Sequence, residues 1–586
     1  MKDNRWTKKK TIKRKLVPSQ DHHEGGNILY RDGRNAWKYT GSGHVLYLGN
    51  TGCGKTCSGI IPTILDLKSA GETIVVTDPK GDVYEATSAH NREKYIEYVI
   101  DFRNPHLSDG YDPLHIIWEF YKTQEPTKVR LASKMLYELA CSLYPDKKMM
   151  TDTFWVYSAR DLFMGVIYAL MDEGDPAKIN ILSTHQMIAA GEGRFGAHSY
   201  LKEYVDHLDP KSQAAMLMRG YVDGATETRK SILATYMEGL SVFVRDQSLL
   251  SMFSKNGLNI EELDGEKPTI IYIILPDESR DSHNLCGVLS NQLMRYYIHL
   301  AGQFPCRRLP IRVNMILEEL GNIGSAFDSL SNLMAAGRSR NIRCHLVLQS
   351  LTQLNTLYGA DEARTITENA SVLVALRVNN WDTLTELSNK CGTWELECNG
   401  QILREPVITP KQLAMMETGQ AMVMVPDRRL CFVSKLPHYE ELFAVRPSKL
   451  DLRTCDDISA TGRTELELFD IKEVVKERKR KEMEEQLKRI EQTEEEADDL
   501  PFDRRGRLIP SFPPFPGRPF GPQVEVVDMD DEEYDEMENQ GLFGGLGRGI
   551  DLDALMRDID AKIAELDAME EAEKEKEKEE EKASEE

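Results

Sequence analysis

The sequence has no run of apolar residues long enough to cross a membrane as a helix, which takes about 18–20 residues. The apolar run TIIYIIL at residues 269–275 is bounded by prolines and rich in β-branched side chains. Such a run is typical of a buried strand. We therefore expect the chain not to span a bilayer by itself, which excludes the membrane-spanning classes of protein.

Paired cysteine spacings are also missing, although the chain has ten cysteines. The separation of Cys391 from Cys398 does not match a zinc-binding motif, and no signal peptide pattern precedes the first cysteine. These absences exclude a disulfide scaffold and a zinc motif. They predict a reduced, cytoplasmic setting.

Positive charges are outnumbered by negative ones: 73 Lys and Arg against 96 Asp and Glu give a formal net charge of −23 at pH 7. The imbalance is local: residues 455–586 carry about 22 excess negative charges, whereas residues 1–20 carry about 7 excess positive charges. The middle of the chain is only mildly acidic. A nucleic-acid partner that binds a local basic patch or pore lining is compatible with this distribution.

What the sequence does have is a glycine-rich loop between an apolar strand pattern and a helical pattern, VLYLGNTGCGKTCSGI at residues 45–60. Its centre matches G-x-x-x-x-G-K-[ST], in which backbone N–H groups and a helix N-terminus surround phosphate oxygens. Lys55 is expected to neutralise the β- and γ-phosphates, and Thr56 to ligate Mg²⁺. The predicted cofactors are ATP and Mg²⁺, held by Gly49, Asn50, Thr51, Gly52, Cys53, Gly54, Lys55 and Thr56.

A second acidic centre follows another apolar strand pattern, in VNMILEELGNIG at residues 313–324. We expect the carboxylates of Glu318 and Glu319 at the sheet edge where the nucleotide lies. Glu318 is predicted to hold the Mg²⁺ and Glu319 to polarise the attacking water. Gln349 ends a further strand, and its amide is expected to contact the γ-phosphate or that water.

Three arginines lie in the segment GRSRNIR, just before the strand that Gln349 ends. Arg338, Arg340 and Arg343 are candidates for stabilising transition-state charge, either directly or from the neighbouring subunit of a ring. A surface or interface ion pair is the alternative for each arginine. For at least one of the three arginines, an ion pair is the better interpretation.

Residues 24–450 alternate short β-rich runs with longer helical patterns, which predicts an α/β fold with a mostly parallel sheet. Between about 175 and 259 strand signals disappear, which predicts an all-α insertion. The predicted strands lie at 45–48, 73–77, 98–101, 269–275, 313–317, 344–349 and 371–376. The predicted division is a basic, mobile N-terminal arm (1–23), a nucleotide-binding domain in two parts (24–174 and 261–450), the all-α insertion (175–260) and a tail (451–586).

The tail is predicted to be largely disordered. A charged helix at 472–496 precedes the Pro-rich linker PSFPPFPGRPFGPQ and an acidic stretch. A short amphipathic helix is expected at 552–566. We consider the tail either a docking segment for a basic protein partner, or a solvated extension.

Together these motifs resemble the type IV secretion system coupling proteins of the VirD4/TraG family, over residues of about 25–443. The resemblance places Asp78, Lys80 and Asp82 of the second-strand motif near the phosphate-binding loop. The segments that carry it, in family order, are HVLYLGNTGCGKT, VVTDPKGDVYEAT, GYDPL, DTFWVYSARDLF, ETRKSILATYMEGL, TIIYIILPDESRD, EELGNIGS, AAGRSRNIRCHLVLQSLTQLNTLYG and ITENASVLVALR.

The resemblance implies a RecA-like P-loop NTPase that forms a homo-hexameric ring. It implies a coupling ATPase that recruits a relaxase–single-stranded DNA complex to a type IV secretion channel and drives conjugative DNA transfer. Expected partners are DNA, a relaxase or accessory proteins, the channel and a separate membrane subunit. The expected location is the cytoplasm, at the inner face of the cell membrane.

The sequence departs from the family pattern in three places. Glu318 and Asp112 stand where aspartate and asparagine are usual, and a basic arm precedes the loop where membrane helices are usual. Glutamate moves the carboxylate by about 1.5 Å, which matters for the strict geometry of Mg²⁺. Two alternative functions stay open. One is a duplex-DNA translocase of the FtsK/HerA kind, and the other is a recruitment platform that binds nucleotide with little hydrolysis.

Overall fold

The computed structural model describes residues 6–145, 153–253, 257–276, 282–323, 327, 330–398, 401–443 and 467–498. The strands are β1 (Val17–Pro18), β2 (Asn27–Asp32), β3 (Asn35–Tyr39), β4 (His44–Leu48), β5 (Thr73–Asp78), β6 (Ile96–Asp101), β7 (Arg194–Phe195), β8 (His198–Ser199), β9 (Thr269–Ile274), β10 (Val313–Leu317), β11 (Ile342–Leu348), β12 (Ala370–Ala375), β13 (Thr393–Cys398), β14 (Gln401–Pro406), β15 (Gln420–Val425) and β16 (Leu430–Lys435).

The helices are α1 (Lys9–Lys15), α2 (Ile61–Ala70), α3 (Asp82–Thr87), α4 (His115–Tyr121), α5 (Pro126–Leu143), α6 (Phe154–Glu173), α7 (Ile181–Gly191), α8 (Tyr200–Asp206), α9 (Gln213–Val222), α10 (Thr226–Arg245), α11 (Gln247–Phe253), α12 (His283–Ala301), α13 (Leu320–Ile323), α14 (Leu330–Ser339), α15 (Leu351–Tyr358), α16 (Ala360–Asn369), α17 (Trp381–Cys391), α18 (Pro410–Ala414), α19 (Tyr439–Leu442) and α20 (Ile471–Asp498). Among the described residues, none of these helices combines the length and apolarity that crossing a membrane requires.

The described residues fall into two compact units, one within residues 1–192 and 205–469, and the other within residues 193–204 and 470–586. The larger unit contains a nine-stranded sheet in the order β16-β15-β12-β4-β11-β10-β5-β9-β6. The strands from β12 to β6 run parallel, and β15 and β16 join antiparallel at one edge. This is the α/β fold with a mostly parallel sheet that the sequence predicts.

All seven predicted strands are present, each within two residues of its predicted ends. The central strands β4, β5, β9, β10 and β11 are buried along their whole length. Continuous burial is expected where helices cover both faces of a parallel sheet, which explains the apolar runs in these segments. The carboxyl ends of these strands lie at one edge and carry the residues of the candidate site.

Between β6 and β9, the described residues of the larger unit form helices, from α4 onward, and one isolated β-bridge that joins Gly110 to Gly257. The hairpin β7–β8 lies within the insertion that was predicted to be all-α. The stretch without sheet strands therefore starts upstream of residue 175, the predicted start of the all-α insertion. Close packing holds these helices together: a Cβ added at Gly165 of α6 would lie 2.6 Å from Met218 of α9. The domain boundaries themselves stay predictions.

The described part of the N-terminal arm is folded, contrary to the prediction that it is mobile. It forms α1 and β1, and its Ile12 and Leu16 belong to the main hydrophobic core. The backbone N–H of Thr7 donates to the carbonyl of Cys431 in the edge strand β16, at 2.9 Å. The sequence-based prediction weighed the charges of the arm and overlooked these two apolar anchors.

The smaller unit contains the hairpin β7–β8 and the helix α20, which confirms the helix predicted at 472–496. Within this unit the guanidinium of Arg478 lies 4.7 Å from the ring centre of Tyr204, and Lys479 pairs with Glu203 at 3.1 Å. The predicted Pro-rich linker, the acidic stretch and the helix at 552–566 lie outside the described residues, as does the predicted disorder of the tail.

Candidate active site

The phosphate-binding loop follows β4, and its shape depends on three glycines. Gly52 and Gly54 have φ of +74° and +95°, a region that favours glycine. A Cβ at Gly49 would lie 2.6 Å from the sulfur of Cys53. The backbone N–H of Gly49 donates to the carbonyl of Leu348 at 3.1 Å, which ties the loop to the neighbouring strand β11.

The helix after the loop begins with one wide π-helical turn, Lys55–Ile60, and continues as α2. No side chain caps its first turn, so the N–H groups at its positive end are available to an anion. The ammonium of Lys55 donates to the carbonyls of Gly49 and Asn50 at 2.6 and 3.1 Å. The glycine cradle, the uncapped helix end and the lysine fit a bound triphosphate.

Glu318 follows the last residue of β10 and reaches the loop directly. The hydroxyl of Thr56 donates a hydrogen bond to the Glu318 carboxylate. The hydroxyl of Thr77 in β5 donates to the backbone carbonyl of Glu318 at 2.8 Å, which fixes the strand end beside the loop. The structure therefore brings together the two residues predicted to hold Mg²⁺, and a hydroxyl beside a carboxylate suits this oxygen-binding cation.

Burial raises the pKa of Glu318 to about 8, and the nearby carboxylates of Asp78 and Glu319 raise it further against the lowering effect of the Thr56 hydroxyl. Below this pH the carboxyl group holds a proton that Mg²⁺ must displace. We predict that the affinity for Mg²⁺ with bound nucleotide rises between pH 7 and 8 and levels off above the pKa. Isothermal titration calorimetry at several pH values between 7 and 9 measures this Mg²⁺ affinity.

Glu318→Gln, which cannot ionise, is the matched control for this pH dependence. It should bind Mg²⁺ more weakly and lose the rise. The same rise in both proteins would show that another group titrates.

Glu319 lies next to Glu318 with φ of +52°, an uncommon backbone conformation for a residue with a side chain. The amide of Gln349, at the end of β11, donates to the Glu319 carboxylate at 3.4 Å. The predicted catalytic pair is therefore assembled across neighbouring strands. Strained backbone of this kind is concentrated at functional sites.

Asp78 is the last residue of β5, and its carboxylate accepts hydrogen bonds from its own turn. It accepts hydrogen bonds from the backbone N–H groups of Lys80, Gly81 and Tyr84, at 3.3, 2.9 and 2.9 Å. Burial raises the pKa of Asp78 to about 6. Its evident role is to shape the turn, which places Lys80 on the wall of the cavity described next.

The phosphate-binding loop lines a cavity of about 440 Å³, together with Asp78, Lys80, Glu318 and Glu319. Its wall also includes Asp82, which the family resemblance places near the loop, and four residues that the sequence analysis missed: Glu85, Thr418, His438 and Tyr439. The rings of His438 and Tyr439 lie 4.7 Å apart and 30° from parallel. They follow β16, and no motif or spacing relates them to a loop that lies far away in the sequence.

Residues 1–402 match the family model described as Type IV secretory system Conjugative DNA transfer. The chain belongs to this family. Membership confirms the resemblance found in the motifs, and conjugative DNA transfer is the process in which this family of coupling proteins acts. Among curated proteins, none matches significantly.

Solved structures of coupling proteins and of one VirB4 protein are similar to this family member. The bacterial conjugative coupling protein TrwBdeltaN70 is 18% identical, with 69% of this chain and 85% of that chain covered and a TM-score of 0.49. The plasmid coupling protein TrwB in complex with ADP and Mg²⁺ is 18% identical, with 67% and 85% covered and a TM-score of 0.49. VirB4 of Thermoanaerobacter pseudethanolicus is 12% identical, with 70% and 96% covered and a TM-score of 0.39.

In this coupling-family chain the three candidate arginines do not reach the phosphate-binding loop. Arg338 and Arg340 precede Ile342, the first residue of β11, so they lie at the opposite edge of the parallel sheet. Arg343 is buried and contacts Asn314 at 2.9 Å and Glu72 at 3.3 Å. A direct catalytic role within one chain is therefore wrong for Arg338 and Arg340, and Arg343 is a structural ion pair.

Proposed function

We propose that this chain is the coupling ATPase of a type IV secretion system, which delivers relaxase-bound single-stranded DNA to the secretion channel. The observation that carries the proposal is the contact between Thr56 of the loop and Glu318 of β10, with Glu319 and Gln349 beside it. ATP bound in the cavity would lie between these two groups. Membership of the conjugative DNA transfer family supports the choice of DNA as cargo and of a type IV secretion channel as its destination.

Each residue has a distinct role in the proposal. Lys55 and the loop amides bind the phosphates, and Thr56 with Glu318 holds Mg²⁺, which neutralises phosphate charge when it is bound. Glu319 accepts a proton from the attacking water, and Gln349 orients Glu319. The geometry needed for hydrolysis is thus built from three neighbouring strand ends.

The part of the cavity wall formed by His438 and Tyr439 is proposed to contact the nucleobase. Tyr439 is buried, and its ring packs near that of His438 on the cavity wall. Flat aromatic surfaces suit stacking against a base. Because these residues follow β16, the antiparallel edge of the sheet contributes to the site as well as its parallel centre.

A homo-hexameric ring is part of the proposal, because in a ring Arg338 and Arg340 can act on the nucleotide of a neighbouring subunit. Both precede β11 at the edge opposite to the loop, and Arg338 is exposed. In a ring with head-to-tail contacts, one subunit can present this edge to the nucleotide of the next. The arginines would then stabilise transition-state charge in the neighbouring subunit.

Attachment to the inner face of the membrane is proposed to involve α1. Lys8, Lys10 and Arg14 are exposed on this folded segment. Each basic residue near an anionic surface contributes about 1 kcal/mol. A separate membrane subunit is the other proposed attachment, and the acidic tail is proposed to bind a basic relaxase or accessory protein.

The proposal is tested by the response of ATP hydrolysis to DNA. We expect single-stranded DNA to increase the turnover rate of the purified chain several-fold. Stimulation by duplex DNA alone would instead identify a translocase of the FtsK/HerA kind. ATP binding without hydrolysis, with DNA and relaxase both present, would identify a recruitment platform.

A further inference from the structure

Three sulfur atoms meet at the antiparallel edge of the main sheet, away from the phosphate-binding loop. The Sγ atoms of Cys391 and Cys431 lie 4.0 Å apart, and the Sγ of Cys391 lies 3.9 Å from the Sδ of Met424. Met424 and Cys431 are directly paired across β15 and β16. We call these three residues the sulfur cluster.

Rigid elements hold the cluster. Cys431 alternates along β16 with Leu430 and Phe432, which face the hydrophobic core, so Cys431 and its partner Met424 lie on the other face. Cys391 is the last residue of α17, where the helix dipole favours a cation. All three residues are only partly buried, so an ion from solvent can reach the sulfurs.

The spacing of the sulfurs suits a three-coordinate metal ion. Three ligands each about 2.3 Å from a central ion in one plane lie about 4.0 Å from one another. Two thiolates and a thioether are the soft ligands that select Cu(I). Zn²⁺ prefers four ligands, and within the part of the chain that the structure describes there is no group of three or more His, Cys, Asp or Glu placed to hold a metal.

We propose that the sulfur cluster is a binding site for a soft monovalent metal ion, Cu(I), that nucleotide binding does not use. On binding, each cysteine S–H loses its proton to solvent and forms an S–Cu bond, while Met424 donates a sulfur lone pair. Copper remains Cu(I), so the step needs no oxidant or reductant. The ion joins α17 to β15 and β16.

The site bears on the nucleotide loop through α17. This helix begins shortly after Arg377, whose carbonyl accepts a hydrogen bond from the backbone N–H of Asn50 at 2.9 Å. A bound ion would therefore restrain a segment that supports the phosphate-binding loop. The proposal itself does not depend on ATP hydrolysis, since binding is measured without nucleotide.

Anaerobic titration of the purified full chain with Cu(I), against a chromophoric Cu(I) chelator, tests the proposal. We expect one Cu(I) to bind tightly per chain with thiolate-to-copper absorption in the ultraviolet. Cys391→Ser and Cys431→Ser should each weaken binding by more than about 100-fold, and Met424→Leu by about tenfold. Zn²⁺ should bind far more weakly than Cu(I).

Cys306→Ser is the matched control, because Cys306 is exposed and free. It should leave the affinity unchanged. Met424→Leu conserves size and apolarity, so it keeps the test decisive if a serine variant fails to fold. No Cu(I) uptake by the wild-type chain, or equal uptake by wild type, Cys431→Ser and Met424→Leu, would overturn the proposal.

Discussion

Replacing Lys55 with alanine is expected to reduce ATP hydrolysis by about 10²–10³-fold and to abolish DNA transfer. The ammonium of Lys55 is buried beside the loop carbonyls, where a fixed positive charge stabilises the charge that develops on the phosphates. A loss of this size corresponds to about 2.7–4 kcal/mol of transition-state stabilisation. Phosphate release by the purified chain and mating frequency in cells measure the two effects.

Lys122→Ala is the matched control for this variant, since Lys122 is an exposed lysine that pairs with Glu119 on α4. It should leave both hydrolysis and transfer near wild type. Circular dichroism should show that both variants are folded. Normal mating by cells with the Lys55→Ala chain would contradict the proposed motor.

Glu319→Gln is expected to lower the turnover number by about 10²–10⁴-fold while ATP binding is retained. The carboxylate of Glu319 is the proposed proton acceptor, and removal of a general base has an effect of this size. The glutamine keeps the shape of the side chain and its contact distance to Gln349. Single-turnover hydrolysis and the equilibrium binding of a fluorescent ATP analogue separate the two effects.

Glu368→Gln on the exposed surface of α16 controls for the loss of one carboxylate. It should hydrolyse ATP at the wild-type rate. If Glu319→Gln also keeps the wild-type rate, the proton acceptor lies elsewhere. If it loses ATP binding together with turnover, Glu319 acts in binding rather than in the chemical step.

The sequence was enough to predict that four residues lie together at one edge of the sheet: Lys55, Thr56, Glu318 and Glu319. Each follows an apolar strand pattern, and the carboxyl ends of parallel strands share one edge of the sheet. The order of the nine strands in the sheet was not needed for this step, because only the common direction of the strands matters. The same rule shows where the prediction for the arginines went wrong: Arg338 and Arg340 precede their strand and so belong to the other edge.

The remaining parts of the site depend on contacts that a linear pattern does not contain. Asp78 lines the cavity, as the resemblance suggests, but its carboxylate accepts hydrogen bonds from backbone N–H groups of its own turn, which the sequence does not reveal. His438 and Tyr439 reach the cavity only because β16 returns antiparallel beside β15. The N-terminal arm was predicted to be mobile from its charge. It packs on the main sheet domain instead, because its apolar side chains Ile12 and Leu16 are buried in the hydrophobic core.

The most direct test of the account is an experimental structure of the chain with Mg²⁺ and a non-hydrolysable ATP analogue. The account predicts the phosphates within the loop of residues 49–56, the metal between Thr56 and Glu318, and Glu319 facing the γ-phosphate. A triphosphate bound elsewhere, or a metal held without Thr56 and Glu318, would contradict it.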